Sequence, residues 1–198
     1  MQDSGNSHNS QPRTPPPGGT PLLVALRGMP GSGKSTLGRG LSKRLGWPII
    51  DKDDVKDLID GHCDDSGTLA YSVMFNIARR QLQQGLNVIC DSPLTYADLY
   101  AQARRLASEA GARLVVLECV CSDEGEWQRR VDARGELGLA AHHMSSWEKL
   151  QAYRQIVEGK VDYPVEDEQL VLDTCKAAGE VVEQAVGWLG RMTPCSAS

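Results

Sequence analysis

The sequence predicts a three-layer α/β domain in which a five-stranded parallel sheet lies between helices and carries a helical lid. Short apolar runs alternate with longer stretches of helical period, the pattern of parallel strands joined by crossover helices. Between the first apolar run and the first helical stretch stands Gly28-Met29-Pro30-Gly31-Ser32-Gly33-Lys34-Ser35-Thr36, a glycine-rich turn feeding a helix N-terminus. The segment from Ser122 to Glu168 is longer than one crossover requires and has room for a lid.

The elements follow in order. Residues 1–20 are rich in Ser, Asn, Gln, Pro and Gly with almost nothing to bury, which predicts a disordered leader. The domain is expected over residues 21–192, and the polar stretch 193–198 as a flexible tail. Strands are expected at Leu22–Arg27, Pro48–Asp51, Leu86–Asp91, Arg113–Val120 and Gln169–Asp173. Leu37 to Leu45 has helical period. Leu69, Val73, Met74, Ile77 and Leu82 form one apolar stripe ended by Gly85. Tyr96, Tyr100, Ala103, Ala107 and Ala110 form another, ended by Gly111. Ser145-Ser146-Trp147-Glu148 has capping-box spacing and predicts a helix through Gln155.

Composition narrows the functional classes. With 198 residues, 40% hydrophobic and 24% charged, the chain can bury one real core. Its net charge of −5 sets 21 basic against 26 acidic residues with no long block of either sign, which argues against a nucleic-acid partner. Cys63, Cys90, Cys119, Cys121, Cys175 and Cys195 show no CxxC spacing and read as reduced thiols in a cytoplasmic setting. No apolar run approaches the ~18 residues of a membrane span. The leader lacks an apolar signal core and makes a poor organellar transit peptide.

Phosphoryl groups need several donors converging on a small volume, which the backbone N–H groups of a glycine-rich loop supply without bulky side chains. Gly28, Gly31 and Gly33 allow that path, with Met29, Pro30, Ser32 and Thr36 completing the loop. Lys34 places a point charge on the outer phosphates of ATP, and the Ser35 hydroxyl reaches a bound magnesium ion. The alternative is a chance match in a glycine-bearing turn. Asp91 ends the run Leu86-Asn87-Val88-Ile89-Cys90 as the acidic residue of a Walker B strand does, where it would orient water around magnesium; the alternative is an Asx turn into Ser92-Pro93.

The loop at 28–36, Asp51-Lys52-Asp53-Asp54-Val55-Lys56, Asp91-Ser92-Pro93, the lid segment 126–134 and Leu170-Val171-Leu172-Asp173-Thr174 together carry a resemblance. They resemble the small P-loop kinases that include zeta toxins, the kinase domain of phage polynucleotide kinase and chloramphenicol phosphotransferase, AAA-like P-loop NTPases. The likeness spans residues 22–189. It implies strand order 2-3-1-4-5, ATP as donor, magnesium, and a hydroxyl acceptor. It also implies that Asp53, first in the Asp pair after Lys52, activates that hydroxyl.

The residues agree with that role, since a carboxylate at the mouth of the sheet can take a proton from an alcohol as transfer proceeds. Asp53 could instead cap the following helix, and Asp51 and Asp54 are near enough to be confused with it. Arg130 and Arg134 lie four apart on the expected lid helix, a repulsive spacing unless an anion such as the ATP phosphates sits between them. Glu126 offers Arg130 a surface ion pair as the alternative. Trp127 is expected to pack, or to meet nucleotide when the lid closes. The leading expectation is an ATP-dependent phosphotransferase acting on a small-molecule or nucleotide-like hydroxyl. A nucleic-acid 5′-hydroxyl kinase ranks below it, because Asp51, Asp54, Asp57, Asp60, Asp64 and Asp65 outnumber Lys52 and Lys56 near Asp53. A nucleotide-binding switch or slow ATPase is the third reading.

Overall fold

The computed structural model describes residues 19–136, 144 and 146–192. The expected leader, apart from its last two residues, lies outside the described residues, as do the tail 193–198, lid positions 137–143 and Ser145. Strands β1 (Leu22–Arg27), β2 (Ile49–Asp51), β3 (Val88–Asp91), β4 (Arg113–Val120) and β5 (Glu168–Asp173) form one sheet. Its order is β2-β3-β1-β4-β5, and every pairing is parallel. Helices α1 (Lys34–Leu45), α2 (Lys52–Ile59), α3 (Ser66–Leu82), α4 (Ala97–Glu109), α5 (Glu124–Glu136), α6 (Trp147–Val157) and α7 (Ala178–Gly190) complete the described chain.

The alternation of side chains along β1 makes the three layers. Leu23 and Ala25 face a core with Met74, Phe75, Ala78 and Leu82 of α3 and Tyr100, Ala103 and Leu106 of α4. Leu22, Val24 and Leu26 face the opposite core, with Leu37 and Leu41 of α1 and Val181, Ala185 and Leu189 of α7. A strand buried on both faces reads as a continuous apolar run, which is why β1 and β4 match their expected bounds.

Three helical expectations need correction. The buried face of α3 is Ala70, Met74, Phe75, Ala78 and Leu82, whereas Leu69 and Ile77 are exposed. Tyr96 is the exposed N-cap of α4, while Tyr100, Ala103 and Ala107 are buried as the stripe expects and Leu106 joins them. Helix α6 is capped by Ser146, whose side chain accepts from the Lys149 N–H, and it runs past Gln155 to Val157.

Candidate active site

The parallel strands deliver their C-terminal ends to one edge of the sheet, and the loop after β1 occupies its centre. Gly28 has φ 142°, and a Cβ there would stand 2.4 Å from the Cys119 carbonyl oxygen and 2.7 Å from Ser32 Oγ. Its N–H donates to the Pro93 carbonyl at 3.1 Å, tying this loop to the one after β3. Gly33, at φ 87°, is the N-cap of α1; it offers no side-chain cap, and the first turn holds no acidic residue. The helix therefore presents free N–H groups and its positive dipole end to an anion. Gly28→Ala should cost at least about 1–3 kcal/mol from backbone strain and the carbonyl contact, read as a lower urea midpoint. An unchanged midpoint would mean that the loop relaxes around the methyl group.

Lys34 is buried, and its Nζ donates to the Met29 carbonyl at 2.9 Å. Burial lowers its pKa, and Asp91 partly offsets that. Asp91 is only 3% exposed, and its Oδ2 has no hydrogen-bond partner among the described residues. Burial raises its pKa, while Lys34 and the Ser35 hydroxyl pull it down. Across the sheet, Asp51 is paired in register with Asp91. Its pKa is raised to about 6 by burial and then by Asp91. An orphaned carboxylate oxygen, a second carboxylate beside it and a serine hydroxyl are the hard oxygen donors that magnesium takes, so the residues fit that ion.

Asp53 lies in the first turn of α2 with its carboxylate against Lys52 Nζ. It does not cap the helix: Asp51 is the N-cap, and its Oδ1 accepts from the Asp53 N–H at 2.9 Å. Asp53 acts electrostatically on Lys34, Asp91 and Arg134, whereas Asp54 is exposed. Lys52, buried beneath it, also sits 5.7 Å from the centroid of the Tyr71 ring. The next loop is strained, with buried Leu94 in the left-handed region at φ 47° and its carbonyl accepting from Tyr163 Oη at 2.5 Å. Thr95 Oγ1 lies 3.4 Å from Tyr153 Oη.

The two lid arginines have different surroundings. Arg130 is engaged: its Nε donates to Glu126 at 2.7 Å, and Nη1 and Nη2 donate to the Thr174 hydroxyl at 3.0 Å and carbonyl at 2.7 Å. Arg129 also pairs with Glu126, whose pKa falls to about 2 through these two guanidinium groups. Thr174 in turn donates to the Ser32 carbonyl at 2.9 Å, so Glu126, Arg130, Thr174 and the glycine-rich loop form one chain of contacts. Arg134 is half-buried and has no hydrogen bond or ion pair among the described residues. Burial lowers its pKa, Asp91 counters this, and Arg39 adds to the lowering. A cavity of about 440 Å³ is lined by Gly31, Gly33, Thr36, Arg130, Arg134 and Lys176.

Sequence reasoning missed several of these groups. Arg39 stands four residues after Ser35 on α1, a spacing that places both on one helix face and was the available signal. Trp127, by contrast, packs as expected, and does so onto the loop itself, its Nε1 donating to the Pro30 carbonyl at 2.8 Å and its ring meeting Trp147 edge-on at 5.5 Å. Tyr71, Thr95 and Tyr153 carried no local signal, because only the tertiary fold gathers them.

Comparisons with known proteins agree with this construction. The AAA_33 family model, described as an AAA domain, matches residues 23–156. An uncharacterized protein of Mycobacterium tuberculosis is 30% identical over 152 residues, 65% of this chain and 30% of that protein. The chain therefore spans under a third of the length of that curated relative. Among solved structures, APS kinase of Mycobacterium tuberculosis, in complex with AMPPNP and APS, is 17% identical. The match covers 86% of this chain and 98% of that one, with a TM-score of 0.63. Kti12 of Chaetomium thermophilum, in complex with ADP-AlF3, is 18% identical over 87% of this chain and 99% of that one, with a TM-score of 0.65. The chain belongs to the AAA_33 family of AAA domains and has the fold of the small P-loop kinases.

Proposed function

We propose that this chain is an ATP-dependent phosphotransferase that moves the γ-phosphoryl group to a hydroxyl of a small molecule. The observation that carries the proposal is the grouping of Lys34, Asp91, Asp53 and half-buried Arg134 within electrostatic reach of one another at the mouth of the glycine-rich loop. The 440 Å³ cavity between that loop and α5 takes the nucleotide. The loop N–H groups and Lys34 hold its phosphates. Asp53, oriented by Lys52, accepts the proton of the acceptor hydroxyl. The alcohol oxygen then bonds to the γ-phosphorus as the bond to the bridging oxygen of ADP breaks, and Lys34 and Arg134 face the charge on the transferring group. Ser35 and Asp91, with Asp51 alongside, would hold magnesium, which when bound neutralises charge on the β- and γ-phosphates.

The acceptor enters on the Asp53 side, past Tyr71 of α3 and the Ser92–Thr95 loop. This approach disfavours a nucleic acid, because Lys52 is engaged by Asp53 and the surrounding Asp54, Asp57, Asp60, Asp64 and Asp65 are exposed. Incubation with labelled ATP and pooled metabolites tests the proposal. A labelled small-molecule product supports it; hydrolysis alone, with no labelled acceptor from any pool, would favour a slow ATPase or switch.

Arg134→Ala should lower turnover by about tenfold to a hundredfold, the scale of one charge-assisted contact, and leave ATP affinity nearly unchanged. Interactions made mainly in the transition state appear in kcat rather than in binding. Initial rates set beside fluorescence titration of a nucleotide analogue measure both. Wild-type turnover would return Arg134 to the role of a surface cation.

A further inference from the structure

No local sequence pattern associates Cys121 with Cys175, yet the sheet register brings them together. Val120, the last residue of β4, is paired with Asp173, the last of β5, so the two chains leave the sheet side by side. The sulfurs of Cys121 and Cys175 are 3.1 Å apart as free thiols, and both residues are half-buried. A disulfide needs about 2.05 Å between sulfurs, so the closing movement is about 1 Å.

The contacts around the pair assign the two sulfurs different roles. Cys175 Sγ accepts the Asp123 N–H at 3.3 Å, which leaves its lone pairs turned toward a donor. Cys121 Sγ instead donates to the Asp123 carbonyl at 3.4 Å, a contact that only the thiol form makes, and burial pushes that thiol up to about 11. The same knot fixes the start of the lid helix. Asp123 Oδ1 accepts from the Glu126 N–H at 2.9 Å, and Asp173 accepts from Ser122 Oγ at 2.6 Å and from the Cys175 N–H at 3.1 Å. On either side of Cys175 stand Thr174, which holds Arg130, and Lys176, which lines the nucleotide cavity.

We propose that Cys121 and Cys175 are a reversible modification site, a dithiol that a small-molecule disulfide converts to an intramolecular disulfide, locking the root of α5 to the β5–α7 loop. Cys175 loses its proton to solvent and attacks one sulfur of the small disulfide, releasing one thiolate, which takes up a proton. Cys121 then loses its proton and attacks the Cys175 sulfur of the mixed disulfide, releasing the second thiol. In sum, two protein thiols and one disulfide give one protein disulfide and two small thiols. Residues of α5 and of the β5–α7 loop both line the cavity assigned above to the nucleotide, and a covalent tie between them is expected to slow its release. Reversible intramolecular pairs of this kind are the usual form of disulfide in a reducing compartment.

The 198-residue chain is equilibrated in glutathione buffers of graded redox ratio, trapped with N-ethylmaleimide and mapped by mass spectrometry. Release of a fluorescent ADP analogue is timed on the same samples. The proposal expects a Cys121–Cys175 peptide that forms and disappears with the buffer ratio, and ADP-analogue release slowed several-fold in the oxidised sample. Cys175→Ser should abolish both the cross-link and the response of the release rate. Glutathione on exposed Cys63 without a Cys121–Cys175 peptide would overturn the proposal, as would a cross-link that leaves release unchanged. Both readouts involve no phosphoryl transfer, so they stand apart from the test of the kinase reading.

Discussion

Lys34→Ala is expected to lower phosphoryl transfer by roughly 10³-fold, the upper range for removing one preorganised charge from a phosphoryl-transfer site. ATP affinity should fall by about tenfold to a hundredfold, as for loss of a charged hydrogen bond. The fold should survive. The ammonium group is buried, so its burial costs the unliganded chain free energy that alanine does not incur. The Met29 carbonyl that loses the Lys34 contact still accepts the Ser32 N–H at 3.1 Å. Asp91 loses the cation that acts on it most strongly, but its pKa is already raised, so it can neutralise by taking a proton. Nucleotide titration, transfer rate and melting temperature should be measured on one preparation. A well-folded variant with unchanged affinity and transfer would remove the phosphate-binding role from this loop.

The parts of the fold legible in the sequence are those fixed by local pattern. β1 and β4 are buried on both faces and read as unbroken apolar runs, and the glycine-rich loop is legible because its function needs those residues in sequence. β3 starts at Val88 rather than Leu86 because the side chain of Asn87, not its backbone, accepts the Leu22 N–H at 2.8 Å. β2 begins at Ile49, and Pro48 contributes to the neighbouring strand only through its carbonyl, which accepts from the Ile89 N–H at 2.9 Å. The α3 stripe is hard to read because Leu69 and Ile77 lie one position from the inward Ala70 and Ala78, and alanines weigh little in an apolar count. In the candidate site, the Asp51–Asp91 pair depends on the β2–β3 register, and the Arg130–Thr174 contact spans 44 positions. Such pairings are set by which strands become neighbours, which local pattern does not encode.

Asp53→Asn is expected to leave ATP binding near normal while transfer to the acceptor falls by roughly 10²- to 10⁴-fold, the scale of lost acid–base catalysis. The structure makes this substitution cleaner than the sequence suggests. The helix cap belongs to Asp51, whose acceptor bond from the residue 53 N–H is unaffected by a change in the residue 53 side chain. The asparagine side chain keeps an oxygen for Lys52 but no charge, so buried Lys52 loses its ionic partner, and a stability loss of about 1–3 kcal/mol is expected. That loss appears in the melting temperature and is separable from transfer measured well below it. Two matched variants identify the carboxylate. Asp54 is exposed, so Asp54→Asn should transfer at nearly the wild-type rate. Asp51→Asn keeps the capping oxygen and relieves the repulsion with Asp91, so its defect should appear as a raised magnesium requirement rather than a lost proton acceptor. Near-normal transfer by Asp53→Asn beside a dead Asp51→Asn or Asp54→Asn would move the base to that neighbour. Normal transfer by all three would remove the start of α2 from the mechanism and leave the acceptor hydroxyl to be deprotonated elsewhere.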